Sequence, residues 1–162
     1  MTATRALHRA AAILITVLGL AALAHANPGE QAIHQIARTG SGDEVSAVLA
    51  RDPAARDART ARGSTPLHLA AMNSDTSVLK ALLAAGADPN ARDEIGSTPL
   101  HMAAYASRAE HAQILLEGGA DPLLKNLEGR DAASMGRKVK ADEAVGIISL
   151  WILKGCQPKV PC

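Results

Sequence analysis

A nine-residue stretch occurs twice in this chain and sets most of what it can fold into. Gly63-Ser64-Thr65-Pro66-Leu67-His68-Leu69-Ala70-Ala71 returns as Gly96-Ser97-Thr98-Pro99-Leu100-His101-Met102-Ala103-Ala104, with Leu69 replaced by Met102 as the one change. The offset is 33 residues at every position. A unit that short cannot hide its own apolar face, so each unit must lean on the next. The chain therefore reads as an array of small stacked pieces.

The stretch itself predicts a helix start. Thr65 and Thr98 stand where an N-cap hydroxyl can accept from the first unpaired N–H groups. Pro66 and Pro99 follow at the first helical position, where a missing N–H costs nothing. Leu67, Ala70 and Ala71 then fall at helical spacing, and the alanines let a neighbouring helix come close. His68 and His101 are placed to bond back towards the threonine and the adjacent loop. Neither has a carboxylate or cysteine at ligand spacing beside it, which argues against a metal site.

The register extends in both directions and defines four units over residues 27–155. In the first, 27–59, helices are expected at about 30–39 and 43–51, joined by Gly40-Ser41-Gly42-Asp43, and the Thr-Pro cap is missing. In the second, 60–92, they are expected at about 66–73 and 77–85. Gly86 is suited to a left-handed C-cap, and Gly119 answers it in the third unit, 93–125. There His111, Ala112, Leu115 and Leu116 take the places of Val78, Leu79, Leu82 and Leu83, and His111 is expected to be partly exposed. In the last unit, 126–155, Asp131 replaces the threonine cap. Its closing helix, about 141–153, should turn Val145, Ile148 and Ile152 to one side, with Trp151 as a lid on the stack. Asp142 and Glu143 sit where they favour the helix dipole. No strand pattern is present, so the predicted class is all-α.

Composition agrees with short stacked helices. Phe is absent and there is one Trp and one Tyr, so the core must come from Ala, Leu and other aliphatic side chains. The formal charge of +1 lacks the basic excess of a general nucleic-acid binder. The sequence contains no H-E-x-x-H, no G-x-S-x-G and no phosphate loop. It reads as non-catalytic, with no cofactor and no metal.

A 33-residue period carrying T-P-L-H-x-A is the known signature of ankyrin repeats, and the chain resembles that family over residues 27–155. The resemblance implies an ankyrin-repeat solenoid of helix-turn-helix units, two full and two degenerate at the ends. It implies structural roles for Thr65, Pro66, His68, Thr98, Pro99, His101, Gly86 and Gly119. It also implies a monomeric module that binds a protein partner through loop tips and the concave surface of the first helix of each pair. Carried onto this sequence, the candidate contact residues are Arg62, Ser64, Met72, Asn73, Glu94, Ile95, Ser97, Tyr105, Leu127 and Arg130. Tyr105 is the leading anchor, being a lone tyrosine in an aromatic-poor chain. Arg59, Arg92 and Lys125 form a basic ladder at one repeat position.

The two ends of the chain speak to location. Arg5 and Arg9 precede an uncharged run from Ala10 to Ala24, and Ala24-His25-Ala26 offers a small-x-small cleavage pattern. Residues 1–26 are read as a cleaved signal peptide, leaving Asn27 first, a chain without a membrane segment, and a periplasmic or secreted location. Loss of the two leader arginines moves the formal charge from +1 to −1. In an exported chain the only two cysteines, Cys156 and Cys162, suggest a disulfide in the 156–162 tail. Similar small exported bacterial ankyrin proteins include inhibitors or immunity factors for envelope enzymes and accessories of periplasmic catalase. A secreted effector acting on host proteins is the alternative of a second class.

Overall fold

A computed structural model describes residues 31–158. The leader and Cys162 lie outside these residues. Among the described residues eight α-helices run in pairs: α1 (Ala32–Thr39) and α2 (Gly42–Arg51), α3 (Pro66–Ala70) and α4 (Thr76–Ala84), α5 (Pro99–Tyr105) and α6 (Ala109–Glu117), α7 (Ala132–Lys138) and α8 (Asp142–Lys154). A short 3-10 helix, Pro53–Asp57, follows α2. The described residues contain no strand. The first helices of the pairs pack in sequence, α1 on α3, α3 on α5 and α5 on α7. The second helices form a parallel file, α2 on α4, α4 on α6 and α6 on α8. The chain is thus the two-layered helical stack that its period predicts.

Small side chains make this layering possible. Ala70, Ala71, Ala103 and Ala104 have no exposed surface, so α3 and α5 approach their neighbours at backbone range. Leu67, Leu79, Leu82, Leu100, Leu115 and Leu116 fill the space between the layers and are also fully buried. Each such leucine contributes about 2 kcal/mol by leaving water. The helices that enclose them pack across repeat boundaries, α1 on α3, α3 on α5 and α5 on α7.

The helix ends follow their sequence signals. Ser41 and Glu44 box the start of α2, the Ser41 N–H donating to Glu44 Oε2 at 2.8 Å. Asp75 caps α4 by accepting from the Ser77 N–H at 2.8 Å, and Asp131 caps α7 by accepting from the Ser134 N–H at 2.7 Å. Gly86 adopts φ +84°, so that the Ala87 N–H reaches back to the Leu82 carbonyl at 3.0 Å. Gly119 adopts φ +106° and repeats the closure with Ala120 on Leu115 at 2.9 Å.

Three local expectations are corrected. Helix α3 stops at Ala70, and the chain through Met72 and Asn73 tightens into i to i+3 bonds. On α8 the core-facing residues are Ala144, Ile148 and Trp151, while Val145 is half-buried and Ile152 is exposed. The predicted stripe was therefore displaced by one residue around the helix. His111 is 3% exposed, because it occupies the inward position that Val78 holds in the preceding repeat.

Candidate protein-interaction surface

The surface is assembled from the histidines outward. In α3 the Thr65 N–H donates to His68 Nδ1 at 3.1 Å, and the Thr65 hydroxyl lies 2.9 Å from the same nitrogen. On the far side of the ring, Nε2 is 3.0 Å from the Ser97 carbonyl of the next repeat. A nitrogen facing an N–H must accept, and one facing a carbonyl must donate. The ring is therefore neutral with its proton on Nε2. Burial pushes its pKa below the ordinary histidine value, outweighing the opposing pull of the Ser97 carbonyl. His101 repeats the arrangement with Thr98 and the Arg130 carbonyl at 3.0 Å, and burial lowers its pKa as well. Each histidine ties the start of its own helix to the loop that opens the next repeat.

That loop is a narrow turn built the same way three times. Thr60, Asp93 and Asn126 each donate their N–H to the carbonyl four residues on, at Ser64, Ser97 and Arg130. Their side chains close the turn from inside: Thr60 Oγ1 accepts from the Ser64 N–H, Asp93 Oδ1 from Ser97 and Asn126 Oδ1 from Arg130. Gly63 and Gly96 adopt φ +71° and +73°, and a Cβ at either would press on the N–H of the next tip, at Glu94 or Leu127. Successive tips are joined directly, Glu94 N–H to the Arg62 carbonyl at 3.1 Å and Leu127 N–H to the Ile95 carbonyl at 2.9 Å.

The basic ladder serves the same joints. Arg59 Nη1 donates to the carbonyls of Gly63 and Arg92, both at 2.7 Å. Arg92 Nη1 donates to those of Gly96 and Lys125, at 3.2 and 2.8 Å. Both guanidinium groups are thus committed to holding loops, although they remain exposed to solvent.

Of the candidate contact residues, Arg62, Met72, Glu94, Ile95, Tyr105 and Leu127 are exposed. Tyr105 is 52% and Met72 41% exposed, at equivalent ends of α5 and α3. Ser64 and Arg130 are half-buried, and Arg130 is ion-paired with Glu128. Asn73 and Ser97 are placed differently. Asn73 is buried and donates Nδ2 to the Ala37 and Gly40 carbonyls, which binds the first repeat to the second. Ser97 has no exposed surface, its N–H and carbonyl being used by Asp93 and His68. Neither side chain is available at the surface. Both stand at repeat positions equivalent to surface ones, but position in the repeat does not fix which atoms the next repeat covers.

Two further features escaped the sequence reading. His34 is buried in the first repeat, where its Nδ1 accepts from the Gln31 N–H at 3.0 Å and its Nε2 lies 3.1 Å from the Ala58 carbonyl. It is a third clamp of the His68 kind, missed because it stands 34 residues before His68, one off the period. Secondly, Leu69, Met102 and Met135 recur at intervals of 33 and are each half-buried. Together with Met72 and Tyr105 they lay an apolar strip along the first-helix layer. That spacing was visible in the sequence, but only the fold reveals that these side chains keep part of their surface in water.

A helix-pair solenoid whose second and third units are each tied to the next by a histidine defines a class of repeat protein. The family model for ankyrin repeats matches residues 6–93 and 33–126, in three copies. The chain belongs to the ankyrin repeat family, whose members serve as protein-protein interaction modules. No curated protein matches the chain.

Proposed function

We propose that this chain is an exported, non-catalytic binder that grips one folded protein through its first-helix strip and loop tips, and restrains an enzyme of the cell envelope. The observation that carries the reading is the surface just described. Partly exposed Leu69, Met102 and Met135, the more exposed Met72 and Tyr105, and the apolar tips Ile95 and Leu127 are presented on the repeat frame. Exposed apolar side chains set among Arg62, Glu94 and Glu128 have the mixed character of a protein contact, with an aromatic anchor and a polar rim. Export rests on the leader pattern in residues 1–26. The Cys156–Cys162 disulfide is part of the same reading, since an oxidising compartment would sustain it.

Crosslinking the purified protein in an envelope extract and identifying what it captures tests the proposal. Capture of a hydrolase at one-to-one ratio, with loss of its activity, is the expected result. Capture of a catalase without inhibition of any hydrolase would support the stress-defence role instead. Tyr105→Ala should weaken the captured complex by about tenfold while leaving helical content unchanged, as for a central aromatic anchor. Unaltered affinity would remove Tyr105 from the contact.

A further inference from the structure

The outward face of the second-helix file changes character at its end. In each repeat two equivalent positions on this face are exposed: Ala47 and Arg51 on α2, Lys80 and Ala84 on α4, Gln113 and Glu117 on α6. On α8 the same positions are Gly146 and Leu150, with Leu153 one turn further on. Leu150 is 53% and Leu153 81% exposed. At 100° per residue these three form one stripe, directly opposite the Ala144, Ile148 and Trp151 side that packs on the stack. The equivalent positions of the earlier repeats include Arg51, Lys80, Gln113 and Glu117, whereas this helix is apolar almost all the way round. Only Asp142, Glu143, Ser149 and Lys154 among its 13 residues are polar.

We infer that this face of α8 docks against α8 of a second copy, antiparallel and about a two-fold axis. The stripe is complementary to itself in that arrangement. Glu143 and Lys154 are both exposed and lie along the same edge of the stripe, at opposite ends of the helix. A two-fold that reverses the helix direction brings each Glu143 alongside Lys154 of the other copy, and the two helix dipoles run in favourable opposition. Leu150 then falls near the axis. Leu153 falls opposite Gly146, where a Cβ would meet nothing within 4 Å, so there is room for the incoming side chain. The strip on the first helices takes no part in this contact, so a dimer would present two copies of it. The inference replaces the monomer expected from the family resemblance, and it does not depend on the identity of the bound protein.

The test is the mass of the purified protein by sedimentation equilibrium across a concentration series. Self-association to a two-chain mass is expected, with Leu150→Glu weakening it at least about tenfold, as for a central contact residue, and leaving the thermal melt intact. Glu143→Lys should also weaken it, and adding Lys154→Glu to that variant should restore it. This rescue is specific to the antiparallel register. A single-chain mass at every concentration would overturn the inference. So would a dimer that survives Leu150→Glu combined with Leu153→Glu, because its contact must lie elsewhere.

Discussion

The two inner repeats and the two end repeats achieve the same joint by different means. In the inner pair, threonine, histidine and the next repeat's carbonyl form an identical clamp at His68 and His101. The first repeat makes its clamp with Gln31 and His34 and reaches the carbonyl of Ala58, just past the 3-10 helix. In the last repeat Asp131 caps α7, accepting from the Ser134 N–H. His68 and His101 are thus ties across a repeat boundary, whereas His34 closes the first unit on itself, 24 residues along the chain.

The largest expected effect separates the regions by depth. Leu100 is fully buried on α5, which packs between α3 and α7, and Leu100→Ala should cost about 3 kcal/mol. Ile33→Ala, in the first repeat, should chiefly fray that end and leave the rest folded, as expected for nearest-neighbour stacking. Thermal melts with hydrogen exchange on α1 and α5 would distinguish the two. Equal loss of protection throughout the chain in both variants would mean that the array unfolds as one block.

Next in size is the clamp. His68→Ala leaves the Ser97 carbonyl without its donor in a buried site and should cost about 2 kcal/mol. The clamp also sets a pH dependence. The His68 and His101 pKa values are lowered by folding, so the unfolded chain binds more protons as the pH drops through and below 6.5. Their contribution is complete above that value and is lost as pH falls through the lower folded values. His111 is shifted in the same direction by burial and adds to the loss. Melting temperature should therefore decline from neutral to mildly acidic pH. Replacing His68 and His101 by Asn should flatten that slope, and an unchanged slope would assign it to other groups.

A smaller gain is expected at His111. Its Nε2 is buried without a hydrogen-bond partner, at a position where the preceding repeat uses Val78. His111→Val should stabilise the chain by about 1 kcal/mol, measured by denaturant unfolding. If stability falls, the histidine makes a contact worth more than its burial costs.

The smallest effect concerns the turns inside the repeats. Ser107 and Lys140, 33 apart, adopt φ +57° and +59°, whereas Ser74 at the same position in the second repeat does not. There Asn73 organises the turn, its Oδ1 accepting from the Asp75 N–H at 3.0 Å. Ser107→Gly should gain about 0.5 kcal/mol by relieving the left-handed strain. Ser74→Gly should give no such gain, and a calorimetric comparison of the two checks the contrast.

The 33-residue period, the proline-marked helix starts and the glycine C-caps are local signals, and they carried the helical stack and its helix ends from the sequence to within a few residues. A helix start needs only a cap, a proline and the next apolar turn, all of which lie within one short segment. Tertiary structure decided the matters that depend on a neighbour. It buried Ser97, Asn73 and His111, drew His34 into a clamp one residue off the period, and spent Arg59 and Arg92 on carbonyls 33 residues away. It also left Leu150 and Leu153 facing water at the end of the file. Burial in a stacked array depends on which atoms the adjoining repeat covers, and a repeat pattern specifies equivalent positions without specifying that coverage.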